Sequence, residues 1–525
     1  MMKRVTGLIA LFAILALLGM NPAPASAQKV IYAVGNPNEF GVTTFNPIKV
    51  ELAHAAMWII YDRFVEWGSD GKFYPGLAES WKISEDGLQW EMRLKKGVKF
   101  HDGSPLNAEM AKWFFKEMET GPSAYMVKAI DRVEVKDALN FTLHLKHPEP
   151  NMLFNLSQSF MAVPSMEAYK KYGEDFGTKH VVGSGPYKFE SWLPGDKLTL
   201  VKNPEYKWGP GHVANKGPAK IDRIEYRDIK EEATRFLELM TGKLDIVVTV
   251  PTMFIEKIEQ NPGTKVLRLP GTILYHMVMN TQSPPLDDKL VRKGIALAID
   301  QESITKNAFQ SAGKPAYTYL IASLAESAIP KDKEIRFDLE GAKAALDKAG
   351  WKVGPDGIRV GKDGKKLELK LWSTNESAFR RVTEVVQAQL ASVGVDTKIT
   401  LLDSSSIRAQ FKKNEHQLVV RSYSWENADI LEWFLNSKRL GYPNAANWHD
   451  NESDYLMQKA MTRSRSTEER IQNFKDYHSY VLGQHVWAPI YLPDLLYAVG
   501  PRLVLPEKSL DRRMMGICVL DYDLK

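Results

Sequence analysis

The stretch from residue 367 to residue 402 restricts the fold most, because two strand patterns flank a helix pattern. Residues 367–372 predict a strand. Residues 376–393 place apolar side chains on one helical face, and Gly394 ends that pattern. Residues 395–402 predict the next strand. Such a unit pairs its strands in parallel, so the sequence predicts an α/β fold with a parallel sheet.

The segment that follows the next predicted strand is rich in acids and aromatic rings. A helix over residues 406–414, with Asp403-Ser404-Ser405-Ser406 as its N-terminal cap, leads into a strand over residues 417–420. The segment RSYSWENADILEWFL, residues 421–435, is predicted to be the loop at the carboxyl end of that strand. Sheets of α/β proteins bind ligands at this end of their strands, which makes the segment a candidate binding site.

The first half of the chain is predicted to consist mainly of short strands and turns. Strand patterns at residues 133–135 and 141–145, and again at residues 187–189 and 198–200, are separated by polar turns. Asn107 precedes the helical pattern AEMAKWFFKEME and is predicted to cap that helix. The 525 residues are enough for two or three domains with complete cores.

The N-terminus has the pattern of an export signal. Lys3 and Arg4 precede an apolar run over residues 5–20, and Ala25-Ser26-Ala27 then forms a cleavage site. We expect residues 1–27 to be a signal peptide that is removed after Ala27. Cys518 is the only cysteine, and none lies at the cleavage site. The sequence therefore predicts a periplasmic protein that is neither a lipoprotein nor disulfide-bonded.

Charge and motif content argue against several functional classes. The formal charge is only +5 and no long basic run occurs, so no nucleic-acid partner is predicted. No P-loop, GxSxG or HExxH motif is present. His144 and His147 are interpreted as surface histidines, and Gly183-Ser184-Gly185 as a tight turn. We predict no enzyme, no cofactor and no metal site, while an exported hydrolase using Glu426 and Asp429 stays open as a distant alternative.

Three segments resemble the extracellular solute-binding proteins of ABC importers, family 5. Residues 76–109 contain LAESW, then DG, an alternating strand and GVKFHDGSP. Residues 182–209 contain GSGPY and NPEYKW, and residues 286–304 contain DDKLVRKGIALAID. The order and spacing of these motifs match that family over essentially the whole mature chain. Members of the family serve dipeptides, oligopeptides, nickel, opines and some oligosaccharides.

The resemblance implies a two-lobed periplasmic binding protein fold, type II-like, with a subdivided first lobe and a central ligand cleft. Its expected parts are a signal peptide at residues 1–27, the first lobe at residues 28–275, the second lobe at residues 276–488 and a return to the first lobe at residues 489–525. Closure of the two lobes is expected to bury a ligand between them.

The resemblance to peptide-binding members also indicates which residues contact a ligand. Glu415-His416-Gln417 sets a register in which Glu426 occupies the position of the aspartate that pairs with the ligand's α-ammonium group. Glutamate keeps that charge and moves it outward by about 1.5 Å, one C–C bond. Asp429 occupies the position of a second aspartate, which is structural. The predicted ligand-binding residues are Glu426, Tyr423, Trp425, Ser422, Trp372, Asn375, Thr43, Thr44 and Phe45.

Together these features predict the periplasmic substrate-binding component of an ABC importer. It is expected to capture a short peptide or another amine-bearing solute and to deliver it, as a monomer, to a permease in the inner membrane. The alternative is an oligosaccharide- or opine-binding receptor of the same fold, with Trp372 and Trp425 as stacking surfaces. Trp433 is expected to pack in the core.

Overall fold

The structure is a computed structural model, and it describes residues 29–34, 42–50, 54–68, 70–464, 466–507, 510 and 516–525. The predicted signal peptide lies outside the described residues. No helix within the described ranges is long and apolar enough to cross a membrane. The described residues form two large sheets, one four-stranded sheet and three two-stranded sheets.

The secondary structure alternates short strands with helices along the described chain. The strands are β1 Lys29–Val34, β2 Val65–Trp67, β3 Phe73–Pro75, β4 Ala78–Ile83, β5 Gln89–Leu94, β6 Ile130–Val135, β7 Asn140–Leu145, β8 Tyr187–Leu193, β9 Lys197–Lys202, β10 Arg223–Asp228, β11 Ile246–Val248, β12 Lys265–Leu269, β13 Ile273–Met279, β14 Gly313–Pro315, β15 Lys352–Val353, β16 Arg359–Val360, β17 Glu368–Thr374, β18 Asp396–Leu402, β19 Leu418–Ser424, β20 Trp487–Pro493, β21 Leu495–Val499, β22 Leu503–Val504 and β23 Asp523–Leu524. The α-helices are α1 Met57–Ile60, α2 Ala108–Met118, α3 Met152–Ser157, α4 Met166–Tyr172, α5 Glu232–Met240, α6 Ile255–Gln260, α7 Lys289–Leu297, α8 Gln301–Ser303, α9 Leu339–Lys348, α10 Ser377–Ser392, α11 Ser404–Lys412, α12 Ile430–Leu435, α13 Asn451–Thr462 and α14 Thr467–Gly483.

The first large sheet has seven strands in the order β12-β21-β11-β1-β10-β9-β8. β1 pairs in parallel with β10 and β11, whereas β9 and β21 run antiparallel to their neighbours. The core of this first lobe consists of apolar side chains from the sheet and from the segments that cover it. Its fully buried members include Tyr61, Tyr187, Leu200, Ile224, Ile246 and Val519.

A four-stranded antiparallel sheet, in the order β4-β5-β7-β6, subdivides the first lobe. Residues of β5 are alternately exposed and buried, as expected of a strand with one face on a core. Helix α2 packs against this sheet with an apolar face that includes Met110, Phe114 and Phe115. The helix begins after its predicted cap, because Asn107 Oδ1 accepts a hydrogen bond from the Met110 N–H at 2.8 Å.

Asn107→Ala is expected to lower the free energy of unfolding by about 1 kcal/mol, because the Met110 N–H loses its acceptor. Asn107→Asp is the matched control, since its side chain keeps an oxygen at the same position. Urea denaturation of both variants beside the wild type measures the difference. Equal losses in the two variants would contradict the capping role.

The second large sheet has six strands in the order β14-β20-β13-β19-β17-β18. β17, α10 and β18 form the predicted strand–helix–strand unit, and β17 pairs in parallel with both β18 and β19. The parallel-sheet prediction is therefore confirmed. Buried side chains of the second-lobe core include Met277, Val382, Leu418, Tyr477 and Trp487.

The chain crosses between the two large sheets twice. It passes from β12 to β13 and returns from β20 to β21. The two crossings touch, since a Cβ atom on Gly271 would lie 1.9 Å from the Pro493 carbonyl oxygen. A residue without a side chain is therefore required at position 271. The predicted lobe boundaries, after residues 275 and 488, lie within β13 and β20 and stay predictions.

The carboxyl ends of the parallel strands in the two large sheets face each other. β10 and β12 run in the same direction, and β12 ends where the chain crosses to the second sheet. β19 runs antiparallel to β13 with Ser424 opposite Ile273, so β19 ends where the chain arrives from the first sheet. The space between these two edges is where sheets of α/β proteins bind ligands.

Two predicted strand ends at this edge are wrong. β19 continues through Ser424 because residues 421–424 pair in register with β13, and helix α12 begins at Ile430. Only residues 425–429 therefore form the loop between them. β17 continues through Thr374, which places Trp372 inside the strand instead of at its end. Pairing with strands that are distant in the sequence sets both ends, and the local pattern does not contain that information.

Candidate ligand-binding site

The loop at residues 425–429 joins the second lobe to the first. The ring of Trp425 meets the ring of Phe154 edge to face, with 5.9 Å between centroids and an interplanar angle of 76°. Asn151 donates from Nδ2 to Asp429 Oδ2 at 3.3 Å, and its Oδ1 accepts from Asn427 Nδ2 at 2.6 Å. Asn151 and Phe154 lie at the start of α3 in the subdivided first lobe. The loop is thus held from both sides of the space between the lobes.

The loop is also held by bonds within itself. Trp425 donates from its indole Nε1 to Asp429 Oδ1 at 2.5 Å, and Asn427 Oδ1 accepts from the Asp429 backbone N–H at 3.1 Å. The Asp429 carboxylate therefore has a donor on each oxygen, Trp425 on one and Asn151 on the other. These bonds give Asp429 the structural role that the resemblance implied.

A buried ion pair supports the loop from behind. Arg470 on α14 donates to Glu326 Oε1 at 2.8 Å, and each side chain is 8% exposed. The other terminal nitrogen of Arg470 donates to Asn427 Oδ1 at 2.6 Å. Hydrogen bonds therefore run from Glu326 through Arg470 and Asn427 to Asn151 on the first lobe.

Carboxyl groups in this region are desolvated. Burial raises the pKa of Asp429 from its usual 3.8 to about 6, although the charge of Arg470 and the Trp425 hydrogen bond oppose the rise. Burial likewise raises the pKa of Glu149, and the charge of Asp429 adds to that rise. A carboxylate between the lobes is therefore stabilised by a nearby proton or cation.

Asp429→Asn is expected to gain stability relative to the wild type as the pH rises from 4 to 7. The folded protein keeps the Asp429 proton up to a pKa of about 6, whereas the unfolded chain releases it at lower pH. Wild-type stability therefore falls through this window by on the order of 2 kcal/mol, and the asparagine variant does not share that loss.

Thermal unfolding of both proteins at several pH values measures this difference in Tm. Asp332→Asn is the control for the loss of one charge, since that side chain is 75% exposed. A Tm difference between Asp429→Asn and the wild type that does not change between pH 4 and pH 7 would refute the prediction.

The predicted contacts on β19 and its loop lie along one edge. Ser422 is half-buried and pairs with Tyr275 on β13. Trp425 and Glu426 are half-buried in the loop. Tyr423 is only 6% exposed, and its hydroxyl donates to the Tyr319 carbonyl oxygen within the second-lobe core. The tyrosine hydroxyl is thus already hydrogen-bonded inside the protein.

The neighbouring strand β17 carries two further predicted contacts. Trp372 is 7% exposed and packs in the second-lobe core, with its ring 6.2 Å from that of His416. Asn375, just beyond the strand, is exposed, and its Oδ1 accepts a hydrogen bond from Arg380. Asn375 therefore lies at the carboxyl edge of the sheet, whereas Trp372 presents no open face.

The three predicted first-lobe contacts differ in exposure. Thr43 is exposed, and Thr44 Oγ1 accepts from the Asn46 backbone N–H at 3.0 Å. Phe45 is completely buried in the first-lobe core, with its ring 4.9 Å from that of Trp192. Phe45 therefore belongs to a different core from Tyr423 and Trp372.

Several residues of the site were not predicted from the sequence. Asn151, Phe154, Glu326 and Arg470 lie in no recognisable motif, and Asn151 is 278 positions from Asp429. The prediction for Trp433 was wrong, because its side chain is 39% exposed under the guanidinium of Arg439 at 4.5 Å. The apolar type of Trp433 suggested burial, but its position on the outer face of α12 exposes it.

The other motifs that could have carried chemistry have structural contacts. A Cβ atom on Gly183 would lie 2.1 Å from the Ile60 carbonyl oxygen, and Ser184 Oγ donates to Asp62 Oδ2 at 2.8 Å, as a tightly packed turn requires. His144 Nε2 lies 2.7 Å from a carboxylate oxygen of Glu134. Among the residues that the structure describes, no three His, Cys, Asp or Glu side chains are grouped to hold a metal.

Two lobes joined by two crossings, with the carboxyl edges of their sheets facing each other, define a solute-binding protein. The model of the bacterial extracellular solute-binding proteins, family 5 middle region, matches residues 72–439. The chain belongs to this family. Its transport class, a solute-binding protein of the kind that serves ABC importers, is the one predicted from the sequence motifs.

Individual relatives cover nearly the whole chain. The glutathione-binding protein GsiB of Salmonella typhimurium strain LT2 is 27% identical over 96% of each chain. The structure of NikA from Brucella suis in complex with Fe(III)-EDTA matches with a TM-score of 0.82 and 22% identity, over 95% of this chain and 100% of that one. DppA from Helicobacter pylori, in complex with the peptide STSA, matches with a TM-score of 0.75 and 21% identity, over 95% and 98% of the chains. The two-lobed fold class is confirmed.

Proposed function

We propose that this protein captures a short peptide or another amine-bearing solute in the periplasm and delivers it to an ABC permease in the inner membrane. The observation that carries the proposal is the loop at residues 425–429. It holds Glu426 at the carboxyl edge of the second sheet and is hydrogen-bonded to Asn151 on the opposite lobe. Closure around a ligand would bring both lobes into contact with it.

A carboxylate in a partly desolvated loop is suited to bind a cationic nitrogen. Hydrogen bonds between charged groups are stronger than neutral ones, and shielding from water strengthens them further. Glutathione, which the curated relatives are named for binding, carries an α-ammonium group and belongs to the same chemical class. We therefore place peptides of this size first among candidate ligands.

The burial of the aromatic side chains favours peptides over sugars. A sugar ring stacks on an open aromatic face, but Trp372 packs in the core and Trp425 packs against Phe154.

We also infer that the protein binds its ligand without turning it over and acts as a monomer, with its mature chain beginning after Ala27.

Thermal unfolding of the purified mature protein with candidate ligands tests the proposal. The panel contains glutathione, di- to pentapeptides, opines, galactosides and cello-oligosaccharides. A ligand at a hundred times its Kd adds about 2.7 kcal/mol to the stability of the protein it binds, which is a readily measured shift in Tm.

N-acetylated peptides, which lack the α-ammonium group, provide the matched control. Stabilisation by free peptides and not by their acetylated forms is the expected result. Stabilisation by sugars alone would replace the proposed ligand class with oligosaccharides. Turnover of any stabilising ligand, followed by mass spectrometry, would contradict a purely binding role.

A further inference from the structure

A small cavity lies in the first lobe beside the carboxyl end of β10. His54, Trp192, Asp196, Tyr226 and Asp228 are among the residues that line it, together with the turn between β8 and β9. Its volume of about 20 Å³ is enough for one water-sized group. The cavity is thus a candidate site for a small polar group.

The Asp228 carboxylate lines this cavity, and both of its oxygens are shielded from solvent. Among the described residues, neither oxygen has a hydrogen-bond donor. A buried carboxylate without donors is strongly unfavourable, and proteins normally pair or protonate such a group. Burial accordingly raises the pKa of Asp228, and the charges of Lys230 and Arg235 oppose this rise without reversing it.

Lys197 also lines the cavity, whereas three other neighbouring groups that could carry a positive charge have different contacts or are neutral. The guanidinium of Arg227 is paired with Glu238, at 2.5 Å for the shorter contact. Arg235 donates from Nη1 to the carbonyl oxygens of Ile229 and Lys230, at 2.7 and 3.0 Å. Burial lowers the pKa of His54 to about 4, so its imidazole is neutral at physiological pH. Within the described part of the chain, neither Arg227 nor His54 forms an ion pair with Asp228.

Asp228 lies at the carboxyl end of its strand. It is the last residue of β10, at the edge of the first sheet that faces the second lobe. Glu426 lies on the loop that extends from the opposite edge. The two facing edges therefore each carry a carboxylate, Asp228 on the first lobe and Glu426 on the second.

We propose that Asp228 and its cavity bind a primary ammonium group of the captured solute, so that the solute carries a second cationic nitrogen besides the one assigned to Glu426. This inference deepens the proposed function and rests on it. The cavity accommodates an ammonium group, which is the size of a water molecule, whereas a planar guanidinium is larger. The preferred solutes are then short peptides with a lysine-like side chain.

The first test uses a small cation and does not depend on any peptide. Thermal unfolding of the mature protein and of Asp228→Asn is measured with n-butylammonium and with tetramethylammonium at equal ionic strength. The proposal expects n-butylammonium to raise the Tm of the wild type more than that of the variant. Tetramethylammonium, which cannot donate hydrogen bonds, is expected to show no difference between the two proteins.

The second test compares the peptides Ala-Lys-Ala and Ala-norleucine-Ala by titration calorimetry. They differ in one side-chain ammonium group, so the wild type is expected to bind the lysine peptide at least about tenfold more tightly, as one charge-assisted hydrogen bond allows. Asp228→Asn is expected to remove that preference and to leave the norleucine peptide's affinity unchanged. The ligand-free variant should be at least as stable as the wild type, since the substitution breaks no side-chain hydrogen bond and removes a desolvated charge.

The outcomes separate the two proposals. If neither peptide binds the wild type, the proposed peptide function fails, and the n-butylammonium result alone decides whether Asp228 binds an ammonium group. If the peptides bind with equal affinity, or if the preference survives in Asp228→Asn, the second-cation proposal is overturned while peptide binding stands. An identical n-butylammonium response in both proteins also overturns it and leaves the cavity as a site for water.

Discussion

Arg470→Met is expected to lower the free energy of unfolding by about 3–5 kcal/mol, one of the two largest effects that we predict. The substitution leaves the Glu326 carboxylate, which is 8% exposed, without the guanidinium that it pairs with. It also removes the donor to Asn427 Oδ1, so the loop at residues 425–429 loses its support from α14. Urea denaturation of the ligand-free protein measures the loss.

Two further variants separate the buried charge from the packing of the side chain. Arg93→Met removes an ion pair with Glu79 in which the two side chains are 62% and 55% exposed. It should lower the free energy of unfolding by about 1 kcal/mol or less. The double variant Arg470→Met/Glu326→Leu should recover much of the loss, because no unpaired charge stays buried. If Arg470→Met lowers the free energy of unfolding by no more than Arg93→Met does, the Arg470–Glu326 ion pair does not support the fold.

Glu426→Gln is expected to weaken the binding of an amine-bearing ligand by about 1.5–3 kcal/mol, the scale of a hydrogen bond to a charged group. Glutamine has the same size as glutamate and keeps one carbonyl oxygen. The loss of affinity therefore measures the effect of the charge and not of the side-chain shape. Titration calorimetry with the peptide that gives the largest thermal shift measures the change. Unchanged affinity would remove Glu426 from the ammonium-binding role.

Glu432→Gln provides the matched control for this experiment. Glu432 lies six positions later on α12, where it pairs with Arg439 at 3.1 Å. The same chemical change there should leave ligand affinity unaltered. N-acetylated peptide gives a second check, because a ligand without an ammonium group should not distinguish Glu426→Gln from the wild type.

Local patterns predicted much of the secondary structure around the site. The strand–helix–strand unit β17–α10–β18 was predicted from apolar periodicity and from Gly394, and its observed bounds differ by one or two residues. The cap at Asn107 was also predicted correctly. In the predicted cap segment 403–406, Asp403 Oδ1 accepts from the Ser406 backbone N–H at 2.9 Å, and α11 begins at Ser404, two residues before the predicted start. These features depend on neighbours within a few positions, so the sequence contains the information directly.

Predictions about individual side chains were less complete, because burial depends on distant neighbours. Trp372 was expected to offer a flat face, but β17 is longer than predicted and the ring packs in the second-lobe core. The sequence did not indicate a role for Asp228, because an aspartate is usually exposed to water. Only the surrounding turn and strands show that its carboxylate oxygens are shielded.

The sequence by itself determined the α/β class, the family and the segment that carries Glu426. These depend on residue periodicity and on short motifs that are continuous along the chain. The tertiary structure decided that Asn151 and Phe154 meet the loop at residues 425–429. It also decided that the Asp228 carboxylate is shielded from solvent without a hydrogen-bond donor among the described residues. The contacts of Asn151 and Phe154 join residues more than 200 positions apart, and they form only when the crossings have placed the two lobes side by side.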